Sequence, residues 1–238
     1  SLSYQRSGAL CLGRYLHYHM PLLQTRPTQR QSMTYDYDLI IVGRGLAGTS
    51  LALALQHLPL RIAMLDNKPN PTPNTNTNND MRPITLNHTS QQILSTLNQW
   101  SSLQTYAKSI EHLQISEQGR LGQINIQAKE LKLSALGYVL PFNKLYQNLQ
   151  TALSSHTQIT YIQVDCLTDT HNDNNGATVD YIDLQQTPRS IRTPLLIVAD
   201  GTNSTCRQLL QIPSDHQEHG DKALIFEATL TPSQQPSH

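Results

Sequence analysis

Charge is scarce in this chain. Lys, Arg, Asp and Glu make up 14% of its 238 residues, seventeen basic against seventeen acidic, and the net charge is zero. With no overall field to draw it to a polyanion, no nucleic-acid partner is expected. Cysteine is equally sparse: Cys11, Cys166 and Cys206 lie far apart and form no CxxC pair. That spacing suggests neither a zinc site nor a disulfide framework, and it fits a reducing cytosol. No apolar run approaches the length of about eighteen residues that crosses a bilayer. The ten histidines include no HExxH spacing, and their one HxH, His17-Tyr18-His19, lies within residues 1–32, so no metal is expected. No catalytic triad and no carboxylate pair presents itself. Asn, Gln, Ser and Thr fill the remaining space as a composition bias rather than as disorder, because strong apolar segments recur throughout. The length allows one large domain or two small ones with a real core.

The glycine that is present concentrates in one place. Of eleven glycines, three fall in Gly43-Arg44-Gly45-Leu46-Ala47-Gly48, a GxGxxG. It follows Leu39-Ile40-Ile41-Val42, a run that reads as a short strand buried on both faces. An Ala/Leu run of strong helix propensity comes next and ends at Leu55. Strand, glycine turn and helix is the context this motif needs. Gly43 permits the tight turn, Gly45 lets the backbone approach a pyrophosphate, and Gly48 lets the helix pack hard on the strand. Phosphate charge would then sit at the helix N-terminus. Leu60 to Leu65 reads as a second strand ending at Asp66, an acid about twenty positions past the glycines, where a dinucleotide's ribose hydroxyls are gripped. The unit predicts an adenine-dinucleotide site. Arg44 is an unusual residue in such a turn; of a phosphate contact and a solvent-facing side chain, the second is expected.

Residues 1–32 stand apart. They contain Arg6, Arg14, Arg26 and Arg30 and no acidic residue. The segment reads either as a mitochondrial transit peptide or as an extension ahead of Met33, the natural start, and in both cases lies outside the fold. Asn67 to Asn79 is rich in Pro and Asn and reads as an exposed loop ending at Asp80-Met81-Arg82. Ile93, Leu94, Leu97 and Trp100 then predict one buried helix face, with Leu103 beginning the next turn. Thr89, Ser90 or Asn87 would cap that helix. From Ile110 the pieces are short and extended: Leu113–Ser116, a turn around Gly119, Ile124–Gln127, and Leu136–Leu140 stopped by Pro141. Their alternation predicts a sheet with one face wet or lining a cavity. Leu145, Leu149 and Leu153 predict a helix. Ile159–Val164 reads as a strand, 172–176 as a polar turn, and Tyr181–Leu184 as extended. Leu195–Ala199 predicts a third strongly buried strand, running into Asp200-Gly201-Thr202-Asn203-Ser204-Thr205-Cys206-Arg207. Ala223–Leu230 is strand-like.

GRGLAG with Asp66, Asp80-Met81-Arg82 followed by ITLNHTSQQILSTLNQW, and VADGTNSTCR together carry a family resemblance. The sequence resembles flavoprotein aromatic hydroxylases of the p-hydroxybenzoate hydroxylase type, and within them it is most similar to the ubiquinone-biosynthesis monooxygenases. IEHLQISEQG and SALGYVLP look closest to the 2-polyprenyl-6-methoxyphenol hydroxylases. The resemblance runs from Tyr35 to about Leu230. It implies an α/β fold: a Rossmann-like FAD-binding domain with a parallel sheet, interleaved with a partial, β-rich substrate domain. Residues 33–109 and 142–212 would form the FAD-binding part, and 110–141 and 213–238 the substrate part.

By the same resemblance, Gly43, Gly45, Leu46, Ala47 and Gly48 would hold the FAD pyrophosphate and Asp66 the AMP ribose. Arg82 would contact the flavin-side phosphates or ribityl chain. Asp200 would serve FAD and the docking of NAD(P)H, with Gly201 giving its tight turn, while Asp200 could also cap a helix over Thr202–Leu210. The implied activity is hydroxylation of a prenylated phenol with NAD(P)H and O2, through a flavin C4a-hydroperoxide, with no catalytic side chain. Membrane-surface or biosynthetic-complex association is implied in the same way, in the cytoplasm at the inner face of a membrane or, with a transit peptide, in mitochondria. The family's later Gly-Asp motif has no match between Asp200 and His238, since Gly220-Asp221 comes too early. The chain therefore reads as the front part of a longer enzyme, or else as a non-catalytic dinucleotide-binding module. A quinone-type NAD(P)H oxidoreductase is the rival within the flavin enzymes.

Overall fold

The computed structural model describes residues 34–68, 80–116, 119, 121–155 and 158–217. The leader, most of the Asn67–Asn79 loop, Gly220-Asp221 and the Ala223–Leu230 run lie outside the described residues. The chain opens with the expected unit: β1 (Leu39–Val42), α1 (Leu46–Leu55) and β2 (Ile62–Asp66). All four residues of β1 are buried. Leu39 and Ile41 enter one core and Ile40 and Val42 the other, as a period of two requires of a strand covered on both faces.

β3 (Pro83–Asn87), α2 (His88–Thr96), α3 (Trp100–Leu103) and β4 (Lys108–Ile110) follow. The single helix expected here is two. Asn98 takes φ +58° between them, the left-handed conformation that Asn tolerates and that ends helices. Asn87 is the residue that caps α2, its side chain accepting the Ser90 N–H at 2.8 Å. Ile93 is 51% exposed, against the expectation. The buried set is Leu94, Leu97 and Leu103.

β5 (His112–Ser116) and β6 (Gln123–Gln127) form a hairpin, and β7 (Gly137–Pro141) pairs with both β3 and β4 in a separate three-stranded sheet. Leu113, Ile115 and Ile124 are exposed on the hairpin. α4 (Phe142–Ser154) buries Leu145, Leu149 and Leu153 and packs on α1. Each leucine so buried stabilises by about 1.5–3 kcal/mol.

β8 (Ile159–Asp173), β9 (Gly176–Asp183) and β10 (Pro188–Thr193) form a long antiparallel ribbon, followed by β11 (Leu196–Val198) and α5 (Thr205–Leu209). The main sheet runs β10-β9-β8-β2-β1-β11, and β8, β2, β1 and β11 are parallel. α1 and α4 cover one face with the first core, while Val179, Tyr181 and Cys206 join β1 and β2 in the second. β8 runs well past the expected Val164, and β10 was not expected. β11 is less buried than its composition predicts: Leu195 is 53% and Val198 36% exposed. Among the described residues it has a neighbour on one side only, so its apolar run is covered on that side alone.

Candidate dinucleotide site

The strand order sets the position of the site. From β1 the chain proceeds to β2 and β8 on one side, and β11 joins β1 on the other. A crevice opens outside the carboxyl ends of parallel strands where the order reverses in this way. Here that place is ringed by Gly43 after β1, Asp66 at the end of β2, and Asp200 after β11. Gly43, Gly45, Asp66, Lys68, Asp200 and Gly201 all line one cavity of about 380 Å³. Its far wall is Val164–Leu167 of β8. Register shifts between Val164 and Cys166 and between Leu167 and Asp169 put bulges in that wall, the feature by which strands re-aim backbone and side chains beside ligand sites.

The three motif glycines have separable jobs. A Cβ on Gly43 would stand 2.2 Å from the Ala199 carbonyl oxygen, and one on Gly48 would stand 2.1 Å from the Gly43 carbonyl oxygen. Those two positions are glycine because backbone passes there. A Cβ on Gly45 meets nothing within 4 Å. That space opens on the cavity. Gly45 is the N-cap of α1 and offers no side chain to it, and the first turn carries no acid. The first intrahelical bond is Thr49 N–H to Gly45 C=O. The N–H groups of Leu46, Ala47 and Gly48 therefore have no carbonyl within the helix, and such a terminus attracts anions.

Asp66 is held ready. Its Oδ2 accepts the Arg44 N–H at 2.6 Å and its Oδ1 the Lys68 N–H at 2.9 Å. Each oxygen keeps a further lone pair for a hydroxyl donor. Asp200 Oδ2 accepts the Cys206 N–H at 3.1 Å, and Ser204 caps α5 through Arg207 N–H at 2.9 Å. The helix after Asp200 is thus shorter than Thr202–Leu210, with Asp200 tying its first turn rather than serving as N-cap. Asp200 Oδ1 is enclosed with no hydrogen-bond partner among the described residues, a costly state that a donor from a ligand would relieve. Cys206, buried behind Asp200, has its thiol pushed up to about 11, first by burial and then by the Asp200 charge. It is inert by design.

These features fit a dinucleotide diphosphate: room at Gly45, unmatched N–H groups at α1, a preset carboxylate for ribose, and an orphaned acceptor opposite. Arg82 stands outside this group. It pairs with Asp80 at 2.6 Å and lies over the Phe142 ring at 5.8 Å, and it does not line the cavity. The carbonyl of Arg82 and that of Asp80 accept from Phe142 and Asn143 at the head of α4, so the segment is fixed to the fold even though the side chain is exposed.

Arg44 is a correction. Instead of facing solvent it is 4% exposed, with its guanidinium 4.3 Å from the centroid of the Tyr161 ring. Its carbonyl accepts from Gln150 Nε2 at 3.1 Å and Thr49 Oγ1 at 3.4 Å. Gln150 was the available signal: a buried amide in the leucine face of α4 needs a polar target, and the turn supplies it. The bulged wall of β8 gave no signal in the sequence. Asp169, His171 and Asp180 bring ligand atoms within 4.8 Å of one another on β8 and β9. The first two are exposed, and none lines the cavity.

Asp66→Ala should weaken binding of the adenine dinucleotide by about 1–3 kcal/mol, the value of hydrogen bonds to a charged group. Equilibrium titration checks this, and unchanged affinity would remove Asp66 from the site.

The chain is 25% identical over 194 residues to the uncharacterized protein slr1300 of Synechocystis, covering 80% of this chain and 45% of that one. It is 27% identical to the 3-demethoxyubiquinol 3-hydroxylase of Escherichia coli, covering 79% and 47%. It is 21% identical to the mitochondrial ubiquinone biosynthesis monooxygenase COQ6 of Dictyostelium discoideum, covering 79% and 42%. The chain thus spans somewhat less than half the length of these curated relatives. Among solved structures, the OxyS anhydrotetracycline hydroxylase of Streptomyces rimosus matches with a TM-score of 0.63 at 18% identity, over 76% of this chain and 35% of that one. The flavin-dependent monooxygenase PieE, solved with FAD and substrate, matches with a TM-score of 0.60 at 20% identity, over 76% and 33%. At such identities the structures speak for the fold. No helix among the described residues is long and apolar enough to cross a membrane. The glycine turn, Asp66 and the Asp-Gly turn fall within residues 36–235, which match the family described as FAD binding domain, and the chain belongs to that family.

Proposed function

We propose that this chain carries the FAD site of a flavin-dependent monooxygenase that hydroxylates a prenylated phenol in ubiquinone synthesis, with NAD(P)H as reductant and O2 as oxygen source. The observation that carries the reading is the convergence of Gly45, Asp66 and Asp200 on one cavity at the switch point of the sheet. Gly43, Gly45 and the N–H groups of Leu46, Ala47 and Gly48 would hold the pyrophosphate, and Asp66 the ribose. Asp200, with Gly201 at φ +91°, would close the site from the opposite side. Arg82, paired with Asp80, would swing to phosphate or ribityl oxygens, for which a guanidinium has the right donor fork. Residues 33–109 and 142–212 supply these groups, and 110–141 and 213–238 belong to the substrate side.

Bound FAD would supply the oxygen activation that no side chain can. The chain's own residues bind, orient and exclude water. The names of the relatives support the choice of phenol. One is named a 3-demethoxyubiquinol 3-hydroxylase and another a ubiquinone biosynthesis monooxygenase, and a prenyl tail would bring the substrate from a membrane surface or a partner protein. Purified protein supplied with FAD, NADPH and a prenylated phenol should place one oxygen-18 atom from labelled O2 in the product. Label arriving from water, or quinone reduction without O2, would overturn the monooxygenase reading.

A further inference from the structure

Arg44 is a buried cation behind the glycine turn, 4% exposed. Both of its backbone groups are clamped. The N–H is held by Asp66 Oδ2 at 2.6 Å, and the carbonyl by Gln150 from α4 and Thr49 from α1. Its side chain leaves the turn on the α4 side and lies on Tyr161, and neither residue lines the cavity. The Tyr161 hydroxyl in turn donates to the Lys68 carbonyl and, at 3.5 Å, to that of Asp66. One ring therefore carries the cation of the turn and fastens the segment that bears the ribose acid. Burial raises the phenols of Tyr146 and Tyr161, the Arg44 charge lowers both, and the Asp66 charge raises both. Arg44 and Asp66 act on the same pair of rings.

A charge taken out of water is expensive unless something compensates it. A ring face supplies part of that compensation, and a nearby carboxylate supplies more. Besides its contacts, a guanidinium here brings its field to the turn. Inside the protein that field is far less screened than in water and extends through the turn to the cradle.

We propose that Arg44 is a positioning residue for the diphosphate end of the dinucleotide, acting through its buried charge and the clamped turn without touching the ligand. The proposal rests on the reading of the cavity as a dinucleotide site. It assigns the ligand class as an anionic diphosphate bound more tightly than its neutral nucleoside.

The probes are ADP and adenosine, titrated into the full chain and into Arg44→Met, Arg44→Lys and Tyr161→Leu, with circular dichroism to confirm folding. Arg44→Met should weaken ADP about tenfold, by a factor that changes little with salt because the charge is buried, leaving adenosine within about twofold. Arg44→Lys should restore most of the ADP affinity, because charge and not shape is the working property. Tyr161→Leu keeps the charge but removes its platform, and should weaken ADP more than adenosine; it serves as the test if Arg44→Met does not fold. Equal losses for ADP and adenosine would reduce Arg44 to a structural part and overturn the proposal, as would an unchanged ADP affinity in Arg44→Met. A parent chain that binds neither probe overturns the dinucleotide reading itself, and the proposal with it.

Discussion

Gly45→Val should leave the fold standing and abolish dinucleotide binding. Gly45 sits at φ −73° and ψ −173°, extended backbone that any residue adopts, so valine meets no conformational strain. An added Cβ finds no atom within 4 Å, so it meets no steric conflict either. The one local cost is exchange of a permissive N-cap for a poor one, about 1 kcal/mol. For a chain of this size that lowers the thermal midpoint by roughly 2–4 °C. The branched side chain would project into the space that a pyrophosphate must share with the backbone. ADP affinity should fall at least about a hundredfold, because losing the close approach forfeits several charge-assisted hydrogen bonds together. Circular dichroism melting and ADP titration on one sample separate the two effects. Undiminished ADP binding would mean that the cradle lies elsewhere.

The parts of this site visible in the sequence were those where backbone geometry dictates residue type. β1, α1 and β2 announce themselves because a two-face strand, a glycine turn and an Ala/Leu helix leave few alternatives. The leucines at 145, 149 and 153 mark α4 for the same reason. Legibility fails where the controlling fact is a contact distant in sequence. Arg44 looked like a surface cation because Tyr161 and Gln150, more than a hundred positions away, could not be placed beside it. Ile93 reads as core from its spacing alone yet is 51% exposed, since local spacing does not say which neighbours cover a helix face. The ribbon from β8 to β10 is faint in the sequence because its exposed faces are polar, and bulges leave no periodic trace. Leu195–Ala199 shows the converse: its composition is that of a central strand, but among the described residues β11 has one neighbour.

Gly43→Ala should do what Gly45→Val does not, and unfold a large part of the stability before any ligand is added. Gly43 has φ +103°, where an L side chain is strained by about 1–3 kcal/mol. Its Cβ would lie 2.2 Å from Ala199 O, 2.5 Å from Ala199 C and 2.7 Å from Asp200 Cα. All three are backbone atoms, so no rotamer change relieves the overlap. Relief requires moving β1 away from β11, and the bond from Ala199 N–H to Val42 C=O at 2.7 Å resists that movement. Overpacking of this kind costs a further 1–3 kcal/mol, for a total of about 2–6 kcal/mol. At roughly 2–4 °C per kcal/mol, the midpoint should drop by about 5–20 °C. Urea unfolding provides an independent measure, since the midpoint should fall with little change in slope. A Gly43→Ala chain that melts with the parent would show that the approach to Ala199 is looser than described. The same contact explains why the glycine turn and the Asp-Gly turn, far apart in sequence, behave as one object. The first glycine is the space into which the backbone before Asp200 fits, so displacing either turn displaces the other. Gly43→Ala should therefore lose ADP affinity in step with stability, whereas Gly45→Val loses affinity far beyond its small loss of stability.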